Sequence, residues 1–442
     1  MTAPLKSAGF AVRDITPVVG SEMPGMLLKR FGASIHDPLL VTAMVVHDGV
    51  RSVAVVGVDA LSVKRSMVLR ARRRIHEVTG LDEGAVMVAA SHTHNGGATC
   101  EVFISEADPA YCERVSTAIA EAVIEAWQGR VEAQFRFGSG RQEGVAFNRR
   151  FRLQGGKEAT HPGKGNTDII EPAGPVDPEV GVIGAFAAAS GRFLGCLVNY
   201  TCHCTVGVGG AGFSADYPYY LRQAVAAVMG AGGVTVFVNG ACGDVTQVNN
   251  RTAPGQWEGG EPWGKLIGHC LAGEAIKVLS QPVAESDLAV GSALRVLNLE
   301  PRLIPESVLQ AAAACLAGRT ATSPWDGDAV FAREIMLLRE MNRHEPTVPA
   351  EVQALRIGPA CLVANPAEYF CRFGLEIKAQ SKARYTYVVE LANGCIGYVP
   401  GSEQVHKGEG YEPRTARSSK LSPAVGENLA ATSIALVNSL LD

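Results

Sequence analysis

Apolar and polar positions alternate along this chain with two periods in turn, and the order of the segments predicts strands and helices that follow one another. Residues 8–17 alternate like a half-buried strand that Pro17 ends. After a turn at 35–40, residues 41–46 and 51–59 read as two more strands. A helix over 64–78 follows, with Val68, Ile75 and Val78 on one face and the arginines largely elsewhere. Residues 85–90 form an apolar run of buried-strand length that leads straight into Ser91-His-Thr-His-Asn-Gly-Gly97. Residues 109–128 read as a second amphipathic helix, and 131–137 as the strand after it.

Beyond the tetrapeptide Phe147-Asn-Arg-Arg150, residues 153–175 are polar, glycine-rich and without period, which predicts a long loop over one face. Residues 180–188 and 193–200 read as a hairpin joined at Ser190-Gly191. It leads into Thr201-Cys-His-Cys-Thr205 and a glycine-rich turn at 207–212. A helix over 217–228 follows the capping residues Ser214 and Asp216. Residues 234–238 are a short buried strand, and Asn239 to Thr246 a turn. The remainder reads as helix 264–279, strand 288–299, helices 306–317 and 328–343, and strands 351–357 and 360–364. A helix over 367–378, a strand over 385–389, a loop over 392–423 and a helix over 427–441 complete it. Such alternation predicts an α/β fold, and no repeat or linker divides it.

Composition narrows the class. With 442 residues, 47% hydrophobic content and 49 glycines, the chain suits a large, loop-rich enzyme. A net charge of -4 with both signs dispersed leaves no basic stripe, so nucleic acid is not an expected partner. Residues 1–10 hold no apolar core of signal length, and no stretch reaches the length of a membrane span. A cytoplasmic protein without stable membrane insertion is therefore expected, acting on a small-molecule substrate; a homo-oligomer is compatible with this. Of the eleven cysteines, Cys196, Cys270, Cys315 and Cys361 lie in apolar runs and no Cys-x-x-Cys pair occurs, which argues against a disulfide scaffold or a zinc finger.

The candidate chemistry sits at strand ends, where α/β proteins tend to place it. If the chain is still extended after residue 90, His92 and His94 point to one side. Such a pair can hold a metal and move a proton, or can simply be hydrogen-bonded. His203, the 239–246 turn, Glu368 and Tyr398 also follow predicted strands. Strands of one sheet with similar polarity would bring all of these to one edge. Two histidines, a carboxylate and an open position form a catalytic zinc set. The bland reading makes His203 a satisfied core residue and Glu368 a favourable charge at a helix start. Trp257 and Trp263, in the glycine- and proline-rich segment 249–263, are either a substrate lid or packing.

Five local matches carry a resemblance over most of the chain: Gly-Val-Asp at 57–59, Ser-His-Thr-His-x-Gly at 91–96, the histidine block at 199–203, Gly-Asp-Val-Thr at 243–246 and Asn-Pro-Ala-Glu at 365–368. In these the chain resembles the neutral/alkaline non-lysosomal ceramidases. The resemblance implies a single large mixed-sheet α/β domain over residues 1–442 with helices packed on the sheet. It also implies that His92, His203, Glu368 and Tyr398 bind a catalytic Zn2+ and that His94 shuttles protons. Tyr411 would stabilise an oxyanion and Arg149 position the substrate. The implied reaction is amide hydrolysis by zinc-activated water. Thr246 stands where the family has serine, as a hydroxyl of the site or as a scaffold residue. Asn148, Trp257 and Trp263 complete the substrate-binding candidates. The family's enzymes are longer, with an immunoglobulin-like domain at the end, and many are secreted. The expectation here is therefore a small or amphiphilic N-acyl amide rather than membrane sphingolipid. An ester, lactone or glycoside remains open, as do a metabolite-binding protein with structural zinc and an amidase built on the Cys202 or Cys242 thiol.

Overall fold

The apolar runs of the N-terminal half assemble into one eight-stranded sheet in the computed structural model, which describes residues 6–281, 288–317 and 327–442. Residues 1–5 of the segment read for a signal lie outside the described residues. The strands are β1 (Ser7–Asp14), β2 (Leu40–His47), β3 (Ser52–Val58), β4 (Val86–Ala90), β5 (Val131–Arg141), β6 (Glu179–Ala187), β7 (Phe193–Tyr200) and β8 (Val234–Asn239). Their spatial order is β8-β7-β6-β5-β1-β2-β3-β4. Most neighbours are antiparallel, with Phe10 opposite Met44 and Val182 opposite Val198, but β3 with β4 and β7 with β8 run parallel. A second sheet holds β9 (Val290–Leu299), β10 (Val348–Ile357), β11 (Ala360–Ala364) and β12 (Tyr385–Val389) in chain order, and its β11 and β12 are again parallel.

The longer helices are α1 (Arg65–Thr79), α2 (Pro109–Gln128), α3 (Tyr217–Met229), α4 (Gly260–Leu279), α5 (Glu306–Leu316), α6 (Gly327–His344), α7 (Cys371–Gln380) and α8 (Val425–Ser439), and a short one spans Ser402–Lys407 in the segment read as loop. A parallel pair needs a crossover. Helices α1, α3 and α7 supply the three crossovers here, so the fold contains three strand–helix–strand units. Every side chain of β4, β7 and β11 is buried, as continuous apolar runs in parallel strands require.

The second sheet packs against the first through a shared core in which Leu355, Leu362, Tyr387 and Val389 meet Val45, Val56, Ile183 and Leu197. Polar ties fix the docking. Tyr387 Oη donates to the Gly138 carbonyl at 2.8 Å, and buried Asn199 donates to both Val238 and Val388. The five chemistry-bearing strand ends thus belong to two sheets rather than one, and it is this docking that gathers them. No helix among the described residues is long and apolar enough to cross a membrane. All eleven cysteines are free thiols.

Four local readings change. In α1, Arg72 turns inward to pair with Glu351 at 2.7 Å and to hydrogen-bond the Val86 carbonyl, so the buried stripe is Met67, Val68, Ala71, Arg72 and Ile75, and Val78 is exposed. The 153–175 segment holds two short strands, Glu158–Thr160 and Ile169–Pro172, on either side of Arg150–Leu153. Residues 367–369 form a short strand instead of a helix start, paired in parallel with Gly397–Val399 from the segment read as loop. Trp263 lies inside α4 and packs on the core beneath that helix.

Candidate metal centre

Each histidine is aimed by backbone carbonyls. His92 follows β4 with φ at 67°, so the chain there is not extended. Its N–H donates to the Ala60 carbonyl at 3.0 Å and its Nδ1 meets the Leu61 carbonyl at 2.8 Å. His203 follows β7, and its Nδ1 contacts the carbonyls of Cys242 at 2.7 Å and Val245 at 3.1 Å, both in the turn after β8. An Nδ1–H bound to carbonyls leaves Nε2 as the lone-pair nitrogen, the arrangement that prepares a histidine to ligate a metal. Among the described residues, the Nε2 atoms of His92 and His203 are buried without a hydrogen-bond partner, and so are both ring nitrogens of His94. One ring nitrogen from each of the three lies within 4.8 Å of the others, and the His92 ring is 4.5 Å from that of His203 and 4.9 Å from that of His94.

Glu368 closes this group from the second sheet. Its Oε2 is 3.4 Å from His92 Nε2 and 3.8 Å from His203 Nε2. Burial works to raise the Glu368 pKa, yet the two imidazoles hold it well below the carboxylate range. Burial and the nearby Arg149 charge lower His203 to about 3, and burial with the neighbouring imidazoles takes His94 well down. For His92, burial lowers the pKa but the Glu368 carboxylate outweighs it and raises the value, the mark of a site that draws in positive charge. Buried orphan nitrogens beside an ionised carboxylate are a donor set that suits zinc.

Tyr398 stands directly opposite Glu368 in the parallel pairing of 367–369 with 397–399, so both side chains leave on the same side. Arg149 lies beneath the two phenols. Its Nη2 donates to Tyr398 Oη at 3.2 Å and to the Gly243 carbonyl at 2.6 Å, and its Nε pairs with Glu412 at 3.0 Å. The guanidinium carbon is 5.2 Å from the Tyr411 ring and 5.6 Å from that of Tyr398. Burial depresses a guanidinium, but Tyr411, Tyr398 and Glu412 together raise Arg149 well above its usual value, so it stays cationic. A cavity of about 430 Å³ opens over the group, with Met26, Leu27, Phe103 and Phe331 as apolar walls and His94, Arg149 and Tyr411 at its base.

No protein-family model and no curated protein sequence matches the chain. Solved structures do. Neutral ceramidase from Pseudomonas aeruginosa aligns with a TM-score of 0.74 at 18% identity, over 99% of this chain and 74% of that one. The fold is that of neutral ceramidase. A ceramidase complexed with C2 gives a TM-score of 0.72 at 18% identity, over 99% of this chain and 75% of its own.

On this ceramidase fold, His92, His94, His203, Glu368, Tyr398, Arg149 and Tyr411 come together, although they are drawn from separate segments. Thr246 also lines the cavity, and its hydroxyl accepts from the Val248 N–H at 3.3 Å. Trp257 is 77% exposed at the cavity mouth. Asn148 and Trp263 are not among the residues lining the cavity. The Asn148 amide is used internally, on Asp244 at 2.7 Å, Pro175 and Arg150, and Trp263 belongs to the packing of α4. Cys202 and Cys242 are buried, and burial pushes both thiols up, away from thiolate reactivity.

Sequence reasoning passed over several residues. His161, lowered to about 4 by burial and the Arg149 charge, lines the cavity from between the two short strands. Glu412 binds Arg149 and Arg150 at once. Glu390 accepts from the N–H groups of Cys242 and Tyr369, which ties the His203 turn to the Glu368 strand. Only Glu412 carried a signal, its place next to Tyr411.

Proposed function

We propose that this chain is a metal-dependent amidase on a single ceramidase-like domain. Zinc would be held by His92, His203, Glu368 and Tyr398. The observation that carries this is the meeting of two buried, carbonyl-oriented imidazoles, whose Nε2 atoms have no partner, with one ionised carboxylate. When bound, the metal supplies a Lewis acid for the amide carbonyl and lowers the pKa of water.

The chain's own groups do the rest. His94, neutral at pH 7 and with both ring nitrogens unengaged, takes the proton of the attacking water and returns it to the departing nitrogen. Tyr411, whose phenol burial keeps protonated, donates toward the carbonyl oxygen as charge develops there. Arg149 fixes the two phenols by hydrogen bond and ring contact, and its fully buried charge favours an anionic oxygen beside them. The apolar walls from Met26, Leu27, Phe103 and Phe331 suit an acyl chain. One water is consumed, and a carboxylic acid and an amine leave.

The test combines elemental analysis of the wild type, His92→Ala and His203→Ala with hydrolysis of a panel of N-acyl amides, esters and glycosides. About one zinc per chain in the wild type, lost from both variants together with amide hydrolysis, is the expected result. Zinc retained in both variants, or a panel in which only esters or glycosides react, would overturn it.

A further inference from the structure

A second cavity, of about 610 Å³, adjoins the first at His92, Glu368, Leu61, Val102 and Ser418. Its walls are charged. Lys64, Arg65, Arg417 and Lys420 line it, together with Glu101, Glu340, Glu345 and Glu351. Most of these charges are already matched. Lys64 is paired with Glu101, Arg417 grips Glu334 through two bonds at 2.6 and 3.0 Å, and Glu340 is held by His344 and Arg343. Glu351 is engaged by Arg72 at 2.7 Å.

Two cations are left with donors to spare. Among the described residues, Lys420 Nζ makes one hydrogen bond, to the Arg417 carbonyl at 3.2 Å, and no carboxylate comes within ion-pair distance of it. Glu345, on the same cavity wall, influences it only through space. Arg65 has a buried Nε without a hydrogen-bond partner among the described residues, and its Nη2 makes only a long ion pair, at 3.9 Å, with the Glu351 oxygen that Arg72 leaves open. Sheltered donors without acceptors are costly, and cations waiting on a cavity wall are the donor side of an anion site. The remaining walls, from Leu337, Met341, Pro349 and Ile396, are apolar.

We propose that this second cavity binds the carboxylate of the substrate's amine half, through Lys420 and Arg65, so that the substrate is an N-acyl amino acid. The inference rests on the amidase reading. The acyl chain lies in the apolar cavity, the scissile amide at His92 and Glu368 where the two cavities meet, and the amino-acid side chain against Met341 and Ile396. Two chambers joined at the reactive group, the second set apart by the cations on its wall, match a molecule with one apolar arm and one anionic arm.

Binding separates this from turnover. Ketomethylene analogues of N-octanoylglycine and N-octanoylglycinamide, with CH2 in place of the scissile N–H, are titrated by calorimetry into the wild type, Lys420→Gln, Lys420→Arg and Arg65→Gln. The acid should bind the wild type about tenfold or more tighter than the amide, the scale of one charge-assisted hydrogen bond. Lys420→Gln and Arg65→Gln should each narrow that ratio, and Lys420→Arg should restore it. Equal affinities in the wild type, or a ratio that survives in both glutamine variants, overturns the proposal. The hydrolysable pair then reports on the amidase reading alone. A protein that prefers the acid analogue but cleaves neither amide keeps the anion cavity and loses the amidase, whereas one that cleaves both with equal kcat/KM does the reverse.

Discussion

His92 holds a left-handed backbone conformation, which costs a residue of its size of order 1–3 kcal/mol unless its surroundings enforce it. They do so here through the Ala60 and Leu61 carbonyls, and the kink carries the ring from the end of β4 toward His203. His94 depends on a different residue. Gly25 has φ at 109°, and a Cβ there would stand 2.8 Å from His94 Nδ1. Gly25→Ala is expected to lower kcat/KM about tenfold or more by displacing the proposed proton carrier, while elemental analysis should find the metal content that of the wild type. A normal rate in that variant would show that Gly25 does not fix the position of His94.

Asp216, the cap of α3, gives a pH prediction away from the centre. Burial raises its pKa from 3.8 to about 6, against the lowering effect of the Tyr217 and Gly207 N–H groups. The folded chain therefore holds a proton that the unfolded chain has already released. The stability this contributes is fully present below about pH 4 and lost as pH rises through about 6. Asp216→Asn, which keeps the size of the side chain and removes its titration, should flatten that slope. Stabilities from urea unfolding at pH 4.5 and 6.5 should bring the two proteins apart by roughly 2 kcal/mol. Parallel curves would refute the assignment.

Among the elements, the three parallel pairs matter most, because their C-terminal ends deliver His92, His203 with its turn, and Glu368 with Tyr398. The turn after β8 and the strand 367–369 touch through Gly243, whose N–H donates to the Tyr369 carbonyl at 2.8 Å; a Cβ there would lie 2.5 Å from the Glu368 carbonyl oxygen. Gly243→Ala should separate the two, with a loss of about 1–3 kcal/mol by denaturant unfolding and a weaker hold on zinc by competition with a chelator. A variant as stable and as tight as the wild type would show that the contact yields freely. Strands such as β4 and β7 were legible in the sequence because an unbroken apolar run of that length has few other readings. The pair 367–369 with 397–399 was not, since three residues carry no period. Asn148 and Trp263 were read as facing a ligand because neither amide satisfaction by Asp244 nor helix packing leaves a trace in the local sequence.

At the scale of the whole molecule, His92 and His203 belong to the eight-stranded sheet and Glu368 and Tyr398 to strands that follow the four-stranded one. A metal bound by all four would fasten one sheet to the other, and its binding energy would become folding energy. Chelation should therefore lower the Tm of the wild type, and added zinc should restore it, by roughly 2.7 kcal/mol at a hundredfold excess over Kd. His92→Ala should respond to neither. An unchanged Tm on chelation would mean that the sheets dock without the metal's help.

The distribution of these four residues along the chain also sets a timetable. During synthesis His92 and His203 emerge well before Glu368, and at about 5–20 residues per second the interval is on the order of ten seconds. Through that interval the nascent chain carries imidazoles with no carboxylate to complete them. Loading with a metal held by all four would thus wait until residue 368 has been made, and a chain interrupted before it would lack the carboxylate of that set.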